Sequence, residues 1–392
     1  MKKSMTIVLI SLVTAFLVAQ SPDPVVLSYQ RNFIRASIST KIELLNDASR
    51  ITTVNMTPLY TDSISFVLTN YPVLGIDAQL LEIASVSAQK AAQYKDPSIN
   101  ESLKRLFTGV NETRVRVACI QALSSLAKGK QTDIAFLEKW FSDSIDASVS
   151  GKGGDVKVLA ICADALGKLS SPSSFPVLFR AATSSLDSSI VQASSVSLNS
   201  ISEGYTDNIL AIIRDKGIKE MYAAFSFSAK KENLANTDKG KIAEAAFTRA
   251  ITIQSSGTDA GLQASLVTES MASLSNLKWS GASAAVVRYF YRVQSEYKSD
   301  VSGIDQLIPV INCMGSMATT EAAQALSIYL GLLNSEAEQK KAYNEQILLA
   351  VIRALGELGD KTAFDYLLYV GYLDYPESVK QASRDALARL QW

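Results

Sequence analysis

Five Ser-x-x-Lys quartets, beginning at Ser87, Ser125, Ser228, Ser275 and Ser295, are the first residues whose types and spacing could do chemistry. A lysine one helical turn from a serine hydroxyl can act as its base and make an acyl-transfer nucleophile. With 50 Ser and 24 Lys in 392 residues, however, composition alone yields about three such quartets. Three of them fall at unequal places in the pattern described below, and no Lys-Thr-Gly companion exists, so they are not read as a Ser–Lys nucleophile. Gly151-Lys152-Gly153-Gly154-Asp155 stands just before an expected helix, where backbone N–H groups could cradle an anion. The P-loop spacing is absent, and an elongated loop is the simpler reading.

Histidine does not occur. That removes the commonest general base, the commonest metal ligand and every Ser-His or Cys-His pair. Cys119, Cys162 and Cys313 lack the CxxC spacing of a metal or redox motif, and each lies in an apolar helical stretch. They are read as buried small residues, with a Cys119–Cys162 bridge left open for an oxidising compartment. The densest aromatic groups are Tyr289-Phe290-Tyr291 and the series Tyr366, Tyr369, Tyr372 and Tyr375. Core packing is the first reading for both, and a partner-binding patch the second. No residue is assigned a catalytic, cofactor-binding or metal-binding role, and no cofactor is expected.

Apolar residues form 47% of the chain and charged residues only 19%, which suits a large core under a hydroxyl-rich surface rather than a disordered chain. Lys and Arg balance Asp and Glu at 38 each, with no concentrated basic footprint for nucleic acid. Lys2 and Lys3 precede an apolar run, Met5–Ala19, that is short for a membrane span and suits a signal peptide. Residues 1–19 are therefore expected to direct export to the periplasm or another extracytoplasmic site, and an uncleaved anchor is the alternative.

The elements that would position any site follow one recurring pattern: small, large apolar, small, polar, large apolar. It reads Ala122-Leu123-Ser124-Ser125-Leu126, Ala165-Leu166-Gly167-Lys168-Leu169, Ser197-Leu198-Asn199-Ser200-Ile201 and Ser273-Leu274-Ser275-Asn276-Leu277. It returns as Cys313-Met314-Gly315-Ser316-Met317, Ala354-Leu355-Gly356-Glu357-Leu358 and Ala386-Leu387-Ala388-Arg389-Leu390. The central residues are spaced by 43, 32, 76, 40, 41 and 32, so a degenerate copy is expected within 205–255. The large residues share one helical face, and eight residues earlier Val115, Val158, Ile190, Leu266, Ile347 and Val379 extend it; only Gln306 breaks the stripe. The small residues allow close helix crossings, and the polar column should face water.

A first helix is expected before each of these, over 98–107, 132–141, 174–182, 282–297, 321–333 and 363–373. Residues 20–95 fit the pattern less well and read as an N-terminal helical cap, with helices over 29–49, 59–68 and 79–92 and a break at Tyr71-Pro72. No alternating run suggests a sheet, so the fold class is all-α, with stacked antiparallel helix hairpins forming an α-solenoid.

Val115-Arg116, Ala118, Ala122-Leu123 and Leu126, and again Val379-Lys380, Ala382, Ala386-Leu387 and Leu390, resemble the second helix of HEAT and HEAT-like repeats. The resemblance covers roughly residues 96–392. The sequence departs from the family where its arginine is missing and where Pro309 stands inside a second helix and should kink it, which leaves armadillo-like or other α-solenoid repeats open. The resemblance implies that second helices line a concave face. Gln121, Asp164, Lys168, Arg353, Glu357, Asp385 and Arg389 would then face a protein or peptide partner. The expectation is an exported, non-enzymatic scaffold without nucleic-acid partners. The rivals are a groove-bearing enzyme resembling HEAT-like chromophore lyases or a ligand-binding protein, and an envelope component held by its uncleaved N-terminus.

Overall fold

The computed structural model describes residues 23–391, so the expected leader lies outside the described residues. Among the described residues the chain is all-helical, with twenty α-helices and a single isolated bridge, Asp360–Gln391, in place of any sheet. The described residues divide into two compact units, one running to 177 with 185–197, the other 178–184 with the residues from 198 on.

The first unit holds α1 (Pro24–Arg35), α2 (Ile38–Ala48), α3 (Thr57–Leu74), α4 (Ala78–Ala91), α5 (Asn100–Gly109), α6 (Thr113–Leu126), α7 (Gln131–Val149) and α8 (Val156–Leu169). The division falls within α9 (Phe175–Ala182) and late in α10 (Ser188–Ser200). The second unit holds α11 (Tyr205–Asp215), α12 (Ile218–Lys230), α13 (Asn236–Ala250), α14 (Thr258–Leu277), α15 (Ser283–Lys298) and α16 (Ile304–Ser316). It ends with α17 (Thr320–Glu338), α18 (Glu345–Leu358), α19 (Phe364–Val370) and α20 (Glu377–Leu387).

Within each unit a helix packs on its hairpin partner and on the helix two further along. In the first unit α4, α6 and α8 lie in succession, and α3 lies against α5; in the second α12, α14, α16, α18 and α20 do the same, with α15, α17 and α19 beside them. The recurring stripe explains this order. Val115, Leu123, Val158, Leu166, Leu266, Leu274, Ile347 and Leu355 are all buried, each worth about 2 kcal/mol when removed from water. Gln306 breaks the stripe because it is exposed, and Leu307 beside it is buried in its stead. Leu387, in the last helix, is only half-buried.

The small residues set how closely the second helices approach. A Cβ built on Gly315 would stand 2.8 Å from Cβ of Ala354, and one on Gly356 would stand 3.0 Å from Cα of Ala386. In the first unit Gly167 meets Ser197 in the same way, 2.4 Å from its hydroxyl oxygen. The third position of one copy thus faces the first position of the next. Within 205–255, where a degenerate copy is expected, α12 buries Phe225 and, three residues on, Ser228.

The N-terminal region corrects two expectations. The single helix expected over 29–49 is two, because Ala36 is extended and Ser37 caps α2, accepting from the Thr40 amide. The buried Lys41 ammonium secures this corner by donating to the carbonyls of Phe33 and Ala36, and lies 4.8 and 5.0 Å from the ring centroids of Phe33 and Phe66. Tyr71-Pro72 does not end α3; the helix runs on to Leu74 and stops at Gly75, whose φ of 56° only glycine adopts freely. The six first helices fall where expected, though α7 extends to Val149 and α19 is shorter, closing at Val370.

A buried ion pair joins α5 to α7. Asp133 is 5% exposed, and its carboxylate accepts from Lys104 and, at 2.6 Å, from the Asn100 carboxamide. Burial alone would raise its pKa, but the hydrogen bonds from Lys104 and Asn100 and the lysine charge outweigh it, so the carboxyl titrates below its ordinary value.

Two measurements follow. Gly315→Val should lower stability by about 3 kcal/mol in urea unfolding, because the crossing has no room, whereas Gly261→Ala in open space on α14 should gain about 0.5–1 kcal/mol; equal midpoints for both would contradict the close approach. For Asp133 the folded pKa lies below the unfolded value of about 3.9, so its contribution is full above that pH and is lost as pH falls through the folded value. Asp133→Asn should therefore be about 3 kcal/mol less stable than the parent at pH 7, with the gap closing below about pH 4 in acid-unfolding titrations.

Candidate functional site

Two clefts flank α14 in the second unit. One, of about 370 Å³, lies between α12 and α14 and is lined by Phe225, Ser228, Ala229, Lys239, Glu269 and Asn276 among others. The other, of about 230 Å³, lies between α14 and α16, lined by Thr268, Met271, Ser275, Pro309 and Cys313. Ala272 and Asn276 belong to both.

Each cleft has a cause in the repeat pattern. On the α12 side Ser228 stands where a leucine or isoleucine would fill the space, and its hydroxyl turns back to donate to the Phe225 carbonyl at 2.7 Å. On the α16 side the facing small residues are Ser275 and Cys313 rather than glycine and alanine, so the two helices cannot close. Pro309, inside α16, has no N–H to return to the preceding turn. Two residues before the central apolar residue five copies place Gln121, Asp164, Asn312, Arg353 or Asp385, whereas α10 places Val196 and α14 places Ala272. A long polar side chain there would cover both openings.

The wider cleft has an apolar floor with two ionisable groups at its edge. The Glu269 carboxylate accepts from the Tyr222 hydroxyl at 2.7 Å, and that hydrogen bond to an anion pushes the phenol pKa up. Lys239 brings a positive charge from α13. Such a lining offers an ammonium donor, a carboxylate acceptor, the Asn276 carboxamide and hydroxyls over a hydrophobic base. It suits recognition of a chain with mixed polar and apolar groups.

The residues expected to meet a partner lie outside the linings of these clefts. Gln121 and Lys168 are exposed and Asp164 half-buried on α6 and α8 of the first unit. Arg353 and Glu357 on α18, Asp385 on α20 and Arg389 just beyond it are exposed in the second unit, where the Gln381 carboxamide donates to Asp385 at 2.8 Å. None lines either cleft. The polar column otherwise faces water as its composition implies: Ser125, Lys168, Ser200, Asn276, Glu357 and Arg389 are exposed, and Ser316 is half-buried.

The candidate chemistry disperses. Ser228 and Lys231 part company, the lysine donating to the carbonyls of Asn199 and Ile201 and lying 4.4 Å from the Tyr205 ring centroid. Ser87 is buried, bonded to Ser63 and to the Ile83 carbonyl. At the glycine-rich loop the helix start is already capped by the chain's own anion, since the Asp155 carboxylate accepts from the Val158 amide at 3.1 Å and from Thr113. Among the described residues no group of three or more His, Cys, Asp or Glu could hold a metal ion, and no helix is long and apolar enough to cross a membrane.

No family model matches the chain, and no curated protein matches it.

The three cysteines are free and buried, and burial pushes the thiols of Cys119 and Cys162 far up and that of Cys313 up to about 12. An aromatic disulfide reagent should find no thiol in the native protein and three after unfolding without reductant. A single reactive thiol under those conditions would mean that Cys119 and Cys162 are bridged.

Proposed function

We propose that the protein is an exported, non-catalytic HEAT-like repeat scaffold whose second helices bind a polypeptide partner, seated in the clefts beside α14. The reading rests first on one observation: Ala272 and Asn276 line both clefts, so a single short stretch of α14 would contact one ligand from two sides. The in-file packing of α12, α14, α16, α18 and α20 supports an α-solenoid arrangement of the hairpins, since such stacks bury their core between neighbours and leave one long face free. Lys2 and Lys3 with the apolar stretch to Ala19 support export.

The mixed lining favours a peptide over a purely apolar ligand. Lys239 and Glu269 carry opposite charges at one cleft, Met271 and Cys313 give the other an apolar wall, and the walls together would hold two or three side chains of an extended segment.

A photo-crosslinking amino acid at Thr268, introduced in the native host, should yield one discrete adduct containing a second polypeptide. Ala272→Trp should reduce that adduct at least tenfold while leaving the melting transition unchanged, because position 272 is exposed. Undiminished crosslinking in the tryptophan variant, or a small molecule alone recovered by native mass spectrometry, would overturn the proposal.

A further inference from the structure

The first-helix side of the second unit carries an aromatic surface separate from the clefts. Tyr366, Tyr369 and Tyr372 are 36%, 40% and 76% exposed, and Leu368 beside them is 40% exposed. After Val370 the chain keeps turning with three-residue bonds, Gly371 to Leu368, Tyr372 to Tyr369 and Leu373 to Val370. Residues three apart are neighbours on a helix surface, so the three tyrosines follow one another along one side as a ladder with rungs about 4.5–6 Å apart. Tyr375, the next in the series, is buried instead, its hydroxyl donating to the Leu333 carbonyl at 3.2 Å.

The ladder is fixed to α17 rather than free. A Cβ on Gly331 would stand 2.8 Å from Cε1 of Tyr366, so only glycine there lets the ring lie against the helix. The Asn334 carboxamide donates to the Tyr366 carbonyl at 3.1 Å, and the Tyr369 hydroxyl donates to the Glu338 carboxylate. That last bond enriches the phenol ring in electrons and strengthens its attraction for a cation. Asp365 and Asp374 flank the rings, both exposed. Among the described residues none of Glu338, Asp365 and Asp374 pairs with a cation, although Lys340, Lys341 and Lys361 are close in sequence. Exposed aromatic rings and carboxylates outside any ion pair therefore lie close together along this stretch of chain, with Glu338 brought to it by Tyr369.

We infer that this tyrosine ladder binds an extended, arginine-bearing polypeptide segment, whose guanidinium groups stack on Tyr366, Tyr369 and Tyr372 and meet Glu338, Asp365 and Asp374. A small cation would cover one ring only. In an extended chain, side chains on one side recur about every 7 Å, somewhat more than the rung spacing, and the length of the arginine side chain lets alternate positions reach successive rings.

The probe is an acetylated, amidated Arg-Ser-Arg-Ser-Arg peptide carrying a fluorophore, titrated by anisotropy at low ionic strength against the full chain. Replacing its arginines with citrulline, which keeps the shape and removes the charge, should abolish binding. The Tyr366→Ser/Tyr369→Ser/Tyr372→Ser variant should bind at least tenfold more weakly, and Tyr372→Ser alone, at the most exposed rung, about threefold. If the triple variant fails to melt cooperatively, the single variant decides. Unchanged affinity in Tyr372→Ser, equal binding of the citrulline peptide, or equal binding of the isomer Arg-Arg-Arg-Ser-Ser would overturn the inference. Ala272→Trp should leave this binding intact, so failure here is distinguishable from failure of the cleft proposal.

Discussion

The approach of one second helix to the next is the constraint on which the rest depends. At Gly315 against Ala354 and at Gly356 against Ala386 the gap between backbones is filled by almost nothing but backbone. Large apolar residues on either side, such as Leu355 and Met314, can then interlock in full burial. The same rule generates its exception. Where the facing pair enlarges to Ser275 and Cys313, the helices stand off and a cleft opens; where Ser228 replaces a large residue, the neighbouring interface opens as well. Both clefts are local relaxations of one packing rule, and they meet on α14.

A chain so rich in serine can build such a core because the hydroxyl need not seek a distant partner. Ser63 donates to the Tyr60 carbonyl, Ser87 to that of Ile83 and Ser270 to that of Leu266, each within its own helix. At these three positions the buried serine behaves as a small residue with its polar need met locally. Charges inside the fold are handled differently. Lys41 closes the corner between α1 and α2 through backbone carbonyls, and Asp133 joins α5 to α7 only with Lys104 and Asn100 in place. Removing one member of either set would strand the others away from water, which is why few such groups occur.

The second helices were legible from sequence because four constraints, two apolar and two small, recur at fixed offsets, and each has a packing cause. The N-terminal corner was less so. Phe33, Ile34, Ile38, Ile42 and Leu45 keep a helical period across the break at Ala36, since apolar periodicity registers the buried face and is blind to a single extended residue. Ser37, a good capping residue three before Thr40, was the available signal. Pro72 misled for the opposite reason: the helix passes through it for only two more residues, so a single return bond to the preceding turn is forgone before Gly75 ends it. The clefts were also readable in part. Ser228 and Ala272 depart from their columns, but a departure from a column marks an opening only when the neighbouring helix is known.

The residues expected to meet a partner come from two offsets, Lys168, Glu357 and Arg389 in the polar column and Gln121, Asp164, Arg353 and Asp385 two residues before the central apolar one, and none lines either cleft. Gln121, Lys168, Arg353, Glu357 and Arg389 are exposed, as most residues at those offsets are. Exposure distinguishes the face from the core but does not distinguish one point on the face from another. The discriminating position lies two residues before the central apolar one, where side-chain length decides between a covered seam and a cleft. Changing that residue leaves the buried stripe and the glycine crossings untouched. A chain with this recurring pattern can therefore vary what its surface admits at one position per helix while its core stays the same, and at Ala272 the short side chain lies on the lining of both clefts.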